Sequence, residues 1–255
     1  SGGSHTNATG PVRNPHDLSR TTGGSSSGSG ALVATGLVDM AIGGDQGGSI
    51  RMPASWCGIY GLKPTYGLVP YTGIMPIEIT LDHTGPMART VQDTALLLEV
   101  LAGPDGLDPR QQAGLHGQAY TQALNGNIQG LRIGIVEEGF GWDVSEKDVD
   151  ESVREAAQTF EKLGASVKTI SIPWHLDGLH IWNGIAIEGP TLLMVEGGGM
   201  GTNWKGHYTT SLLDAAARGR LTRANDLSET VKLVILLGRY MQEHYHGRYY
   251  AKAQN

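Results

Sequence analysis

The amino-acid sequence predicts an α/β protein, and three stretches carry that expectation. Residues 131–172 read as strand, helix, strand. Residues 90–102 form an apolar helix with its own start and stop signals. A glycine-rich segment at 23–54 opens a further helix and marks tight turns. The chain has 255 residues, long enough to bury a core, and 17% of them are charged. That is below the usual ~25% and unlike a solvated, disordered chain. Glycine stands at 38 residues, roughly twice its usual ~7% share.

Residues 1–30 are dominated by Gly, Ser, Thr, Asn and Pro. Composition alone fits a flexible linker as well as an ordered loop. The order Gly24-Ser25-Ser26-Ser27-Gly28-Ser29-Gly30 followed by ALVATGL favours a tight loop opening a helix, where backbone N–H groups stand exposed. Residues 41–70 keep the glycine but interleave Ile, Met, Trp, Cys, Tyr and Leu, which a linker would not carry; glycines there mark turns or close backbone approach. Thr90-Val91-Gln92-Asp93 resembles a capping box, TALLLEVLA follows, and Gly103-Pro104 stops the helix. Residues 104–130 read as loop with weak helical content. LRIGIV at 131–136 is a strand. Ser145 is placed to cap a helix carrying Val149, Val153, Ala156, Ala157, Phe160 and Leu163, and SVKTISI at 166–172 is a second strand, paired parallel. Further helices are expected at about 209–218 and 226–246.

Bulk numbers exclude several functions. A net charge of −6 lacks the basic footprint of a nucleic-acid binder. No apolar run approaches the ~18 residues of a membrane-spanning helix, and no signal peptide is visible at the start. One cysteine, Cys57, rules out an internal disulfide framework and fits a reducing compartment, so a cytoplasmic location is expected. No cofactor is expected, since neither glycine cluster matches a phosphate-loop or dinucleotide fingerprint. No metal is expected either: His244 and His246, two apart on a helix, would diverge by about 200°.

Two serine patterns remain. Gly24-Ser25-Ser26-Ser27-Gly28 matches G-x-S-x-G around Ser26, but the preceding PVRNPHDLSRTTG is no strand, so the nucleophile-elbow context fails. Gly43-Gly44-Asp45-Gln46-Gly47-Gly48-Ser49-Ile50-Arg51 is the stronger candidate. Glycines directly before a serine let successive N–H groups point into one concavity. Ser49 is then a nucleophile, with oxyanion donors from Gln46, Gly47, Gly48 and Ser49 itself, each such donor being worth ~3 kcal/mol to the transition state. A serine hydroxyl needs a base, and the serines at 25–27 could relay its proton. Cys57, in an apolar WCGI setting, reads as a buried small residue. Met52, Trp56 and Tyr66 read as core packing rather than as an acyl pocket.

GGSSSGSGALVATGLVDMAIGGDQGGSIRMPA (23–54), WCGIYGLKPTYGLVPYTG (56–73) and DHTGPMARTVQDTALLLEVLAG (82–103) together resemble the amidase-signature family, and the likeness covers the whole chain. It implies a mixed β-sheet flanked by α-helices, with residues 1–255 forming a single domain truncated at both ends. It also implies hydrolysis of small carboxylic amides to acid and ammonia by a Ser–cis-Ser–Lys triad. By motif position Ser49 is the nucleophile and Ser25 the bridging serine, on a cis peptide bond. Gln46, Gly47 and Gly48 serve the oxyanion, while Asp45, Arg51 and Ser26 support the loop. The family's lysine lies well upstream of the bridging serine, yet only 24 residues precede Ser25. Lys63, the nearest lysine downstream, falls in GLKPT, which the resemblance treats as structural. The expectation is a chain without its base and inactive alone. Gln46 and GPVRNP are similar to the amidases that accompany nitrile hydratases. The alternatives are an amidase like the one within glutamyl-tRNA amidotransferase, which usually has Thr at the Gln46 position, or an inactive pseudo-enzyme fragment. The expected partner is a small-molecule amide, with homodimerisation left open and neither nucleic acid nor membrane involved.

Overall fold

A computed structural model describes residues 3–200 and 207–255. The chain divides into two compact units, one of residues 1–124 and 184–255, the other of residues 125–183. Parallel and antiparallel pairing both occur, and helices flank the sheets.

The first unit opens with a short antiparallel pair, β1 (Arg13–Asn14) and β2 (Asp17–Thr21), so the polar start is ordered rather than a linker. Asn14 Nδ2 donates to the Trp56 carbonyl at 2.8 Å and His16 Nε2 meets that of Cys57 at 2.8 Å, tying this segment to residues about 40 positions on. Helix α1 (Ser27–Ala34) follows the serine-rich loop. A three-stranded antiparallel sheet forms the centre of the unit, in the order β3 (Met40–Asp45), β5 (His83–Ala88), β4 (Tyr60–Gly61). Helix α2 (Arg51–Trp56) connects β3 to β4 and packs on β4 and α1, and Ile50, Ala54 and Met87 form a core cluster with Ile59 against it.

Two glycines make that core possible. Gly43 and Gly85 are register partners across β3 and β5. A Cβ at Gly43 would lie 2.8 Å from Met87 Sδ and 2.9 Å from Ile50 Cγ1, and one at Gly85 would run into the Leu62 carbonyl. The glycine pair therefore makes the room that the apolar side chains fill.

Helix α3 (Val91–Leu101) begins where its capping signal predicts: the Thr90 side chain accepts from Asp93 N–H at 3.0 Å and donates to the Asp93 carboxylate at 2.7 Å. The second unit holds β6 (Arg132–Val136), helix α4 (Lys147–Lys162) and β7 (Ser166–Ile170), with β6 and β7 parallel as expected. The helix cap is Glu146, not Ser145, whose N–H is instead taken up in a turn onto the Trp142 carbonyl. Helix α5 (Gly178–Pro190) ends at a proline with no N–H to donate, and the next turn, Thr191–Glu196, widens to a π-helix. Helices α6 (Thr210–Thr222), α7 (Glu229–Tyr245) and α8 (Arg248–Gln254) complete the chain. His246 is not helical; it ends α7 in the left-handed conformation, φ 55°. Among the described residues no helix is long and apolar enough to cross a membrane.

Candidate active site

The two serine segments meet at the end of β3. The peptide bond between Gly24 and Ser25 is cis, where the resemblance places the bridging serine. Ser26 immediately precedes α1, and its N–H donates to the Ser49 carbonyl at 3.3 Å. Its hydroxyl fits between the backbone groups of Gly44, accepting from the N–H at 3.1 Å and donating to the carbonyl at 3.2 Å. One turn on, Ser29 Oγ donates to the Ile42 carbonyl at 2.9 Å. Ser26 and Ser29 thus clamp α1 along β3 and set the Ser25 loop beside Ser49. Ser25 is exposed, and Ser49 half-buried.

Asp45, the last residue of β3, organises the turn that presents Ser49. Asp45 is 1% exposed, and its carboxylate accepts from Gly48 N–H at 2.7 Å, Ile50 N–H at 3.1 Å, and Arg51 Nε and Nη2, each at 3.0 Å. Burial pushes this carboxyl upward, but the Arg51 bond and the two backbone donors outweigh it and hold it below the usual carboxylate range. Gly48 takes φ +116°, and a Cβ there would sit 3.1 Å from Met52 Cγ, so the turn requires glycine. The Gly48 N–H is directed onto Asp45 rather than into solvent, whereas Gly47 is exposed.

Gln46 is held from the other side. Its carboxamide nitrogen donates to Asp82 Oδ1 at 3.0 Å and to the Tyr71 hydroxyl at 3.1 Å. Asp82 is 1% exposed; burial drives its carboxyl up to about 6, against the pull of the Glu78 and Ile77 N–H groups, Gln46 and Arg110. Arg110 pairs with Asp108 at 2.6 Å, donates to the Asp82 carbonyl at 2.8 Å, and lies over the Tyr66 and Tyr71 rings. A cleft of about 130 Å³ opens beside this network, with Tyr71, Asp82 and Arg110 on one wall and Ile74, Met75 and Leu213 among its apolar lining. It does not include Ser25 or Ser49. Sequence reasoning missed Tyr71, Asp82, Asp108 and Arg110. The β3–β5 register brings Asp82 beside Gln46, since Asp45 pairs with His83 and the next residues outward are Gln46 and Asp82; no sequence signal marked Tyr71, Asp108 or Arg110.

Other candidates fall elsewhere. Lys63 Nζ donates to the Pro64 carbonyl at 2.7 Å; burial and then the Arg51 charge push its ammonium below the usual lysine range. Cys57 is buried, with its thiol pushed up by that burial. Trp56 and Tyr66 are not core residues: Trp56 is exposed while leaning on Gly23, and Tyr66 reaches the Ile79 carbonyl at 2.7 Å from the surface. Each has a backbone group or glycine to cover rather than an apolar pocket to fill. No group of three His, Cys, Asp or Glu that could hold a metal occurs among the described residues.

The amidase family model matches residues 1–255. The chain belongs to the amidase family. An enantioselective amidase of Rhodococcus rhodochrous is 49% identical over 257 residues, covering 100% of this chain and 49% of that protein. A glutamyl-tRNA(Gln) amidotransferase subunit of Chromohalobacter salexigens is 43% identical, over 96% of this chain and 50% of its own length. Among solved structures, a bacterial aryl acylamidase of the amidase signature enzymes superposes with a TM-score of 0.70 at 30% identity, over 89% of this chain and 44% of that one. A chain from a vestigial protein complex related to an s-triazine catabolic enzyme reaches 0.78 at 33% identity, over 99% and 49%. This amidase-family chain thus spans about half the length of the curated relatives it matches.

Proposed function

We propose that the chain carries the nucleophile portion of an enzyme that hydrolyses small carboxylic amides to acid and ammonia. The supporting observation is the junction of the two serine segments, made by Ser26 N–H on the Ser49 carbonyl and braced by Asp45. In this reading Ser49 Oγ attacks the amide carbon. Its proton passes through Ser25 to the departing nitrogen, the C–N bond breaks, and an acyl-serine is left. Water then adds to the acyl carbon, releasing the acid and returning the proton to Ser49. The oxyanion is met by N–H groups of residues 46–49, with Gly47 and Ser49 the readiest donors while Gly48 is engaged by Asp45. A base is needed to take the Ser25 proton as that of Ser49 moves onto Ser25, and to return it once Ser25 has protonated the leaving nitrogen; the family resemblance gives that role to a lysine. We place the enzyme in the cytoplasm, on the single cysteine, and read residues 1–255 as part of one amidase domain.

Assay of the 255-residue polypeptide on short aliphatic and aryl amides is expected to show no turnover. In a family-length protein carrying this segment, Ser49→Ala should remove turnover entirely, and Ser25→Ala should lower kcat by about 10³-fold or more. Native-level turnover by the 255-residue chain, lost in Ser49→Ala, would refute the inactivity; a Ser49→Ala family-length enzyme that still turns over would refute the nucleophile. The amidotransferase reading is favoured by the glutamyl-tRNA(Gln) amidotransferase relatives at 38–43% identity. It predicts dependence on misacylated tRNA, which the free-amidase reading does not.

A further inference from the structure

We propose that Asp82 is a positioning residue for the loop at 46–49, acting on it through the Gln46 carboxamide. The loop is suspended between two buried carboxylates. Asp45 holds its downstream end by Gly48, Ile50 and Arg51. Asp82 holds its upstream end by way of the Gln46 side chain, with Tyr71 fixing the same nitrogen. Asp82 is itself immobilised. Oδ1 also accepts from Glu78 N–H at 3.2 Å, Oδ2 accepts from Ile77 N–H at 3.0 Å, and its carbonyl holds Arg110. The β3–β5 register ends at Asp45 and His83, so this contact is the next rung made by side chains in place of backbone.

The two carboxylates differ in their charge behaviour. Asp45 has Arg51 against it and stays ionised. Among the described residues no arginine bonds the Asp82 carboxylate: Arg110 pairs with Asp108, donates to the Asp82 carbonyl, and reaches the carboxylate by its charge alone. The other titratable groups around it are Tyr66, Tyr71, His83 and Glu78. Burial raises both tyrosines, so neither changes charge as Asp82 does; burial also lowers His83, and the Asp82→Asn variant separates a His83 titration from that of Asp82. An ionised Asp82 accepts from the Gln46 nitrogen with the strength of a charged acceptor. Once protonated, it presents a hydroxyl donor among three N–H donors, and the clip loosens. Loop geometry is thereby tied to one carboxyl that changes charge at mildly acidic pH.

The importance of this clip for catalysis rests on reading residues 46–49 as the oxyanion loop, but the clip can be tested without that reading. Amide NMR of the ¹⁵N-labelled 255-residue chain is followed from acid to neutral pH. The Ile77 and Glu78 amides should titrate together near pH 6, and Gly47 and Gly48 should show the same midpoint. Asp82→Asn should abolish the inflection at all four. Gln46→Ala should leave it at Ile77 and Glu78 and remove it from Gly47 and Gly48. Should Asp82→Asn fail to fold, the half-buried Gln46 variant decides alone. The proposal is overturned if Gly47 and Gly48 show no inflection, if theirs survives Gln46→Ala, or if Ile77 and Glu78 do not titrate. A failed Ser49→Ala assay would instead strike the amidase reading and leave this result standing.

Discussion

At the scale of single residues, the site is a contest between two buried aspartates with opposite pH behaviour. Asp45 is held below its ordinary value of 3.8. Its contribution to stability is therefore present above pH 3.8 and is lost as pH falls through the lower folded value. Asp82 is raised from 3.8 to about 6. Its contribution is fully present below 3.8 and is lost as pH rises through 6. Denaturant titrations should thus show the stability gap between the parent chain and Asp82→Asn shrinking from about pH 4 to pH 6, whereas Asp45→Asn should cost about 3 kcal/mol at neutral pH and progressively less in strong acid. A parent-to-Asp82→Asn gap that widened toward neutral pH would show the carboxyl to be stabilised rather than stressed by its surroundings. The Asp45–Ser49 turn was legible from its glycine spacing, whereas Ser25 was singled out from its neighbouring serines by the family resemblance alone. The Gln46, Tyr71, Asp82 and Arg110 network was not, because each partner is polar, ordinary in composition and 25 or more positions from Gln46.

At the scale of elements, legibility followed local signals. Helix α3 has a side-chain cap and a glycine-proline stop, and α4 and α7 have regular apolar spacing; all three were readable. Strand β5 was not, because HTGPMA contains a glycine and a proline and has no alternation. Its proline is nonetheless tolerated at the centre of a sheet. The Pro86 carbonyl accepts from Leu62 N–H at 3.0 Å, so its nitrogen faces that same side, where β4 has already ended at Gly61. No ladder bond to β3 is lost. The glycine pair across the ladder gives the sharper test. Gly85→Ala drives a methyl into the Leu62 carbonyl, which is backbone and cannot swing away. It should cost about 3 kcal/mol or more, while Gly28→Ala, where a Cβ meets nothing within 4 Å, should cost little. Equal stability of the two variants by thermal denaturation would mean that β4 and β5 do not approach as closely as described.

At the scale of the whole chain, the two units differ in what they bury. The βαβ pattern of the second unit was the clearest reading in the sequence, and its strands and helix formed as expected. The apolar face that made it readable is nevertheless largely uncovered: Val149 is 53% exposed, Val153 51% and Leu163 58%. The buried residues between 125 and 183 are Ala157 and Ala165, the two smallest contributions a core can receive. Periodicity reports which face is apolar, and says nothing about whether this stretch of chain supplies what covers it. The first unit, by contrast, closes Ile50, Met87 and Val33 completely from solvent. With about 25 cal/mol gained per Å² of apolar surface buried, the second unit has little to set against the entropy of its ordered residues. Native-state hydrogen exchange should therefore rank the two sheets. Amides paired between β6 and β7 should exchange about tenfold or more faster than those paired between β3 and β5, and should do so without unfolding of the Ser49 turn. Equal protection in both sheets would mean that the second unit draws stability from contacts beyond its own few buried side chains. Its exposed Val149, Val153 and Leu163 would then be the positions at which single alanine substitutions lower protection.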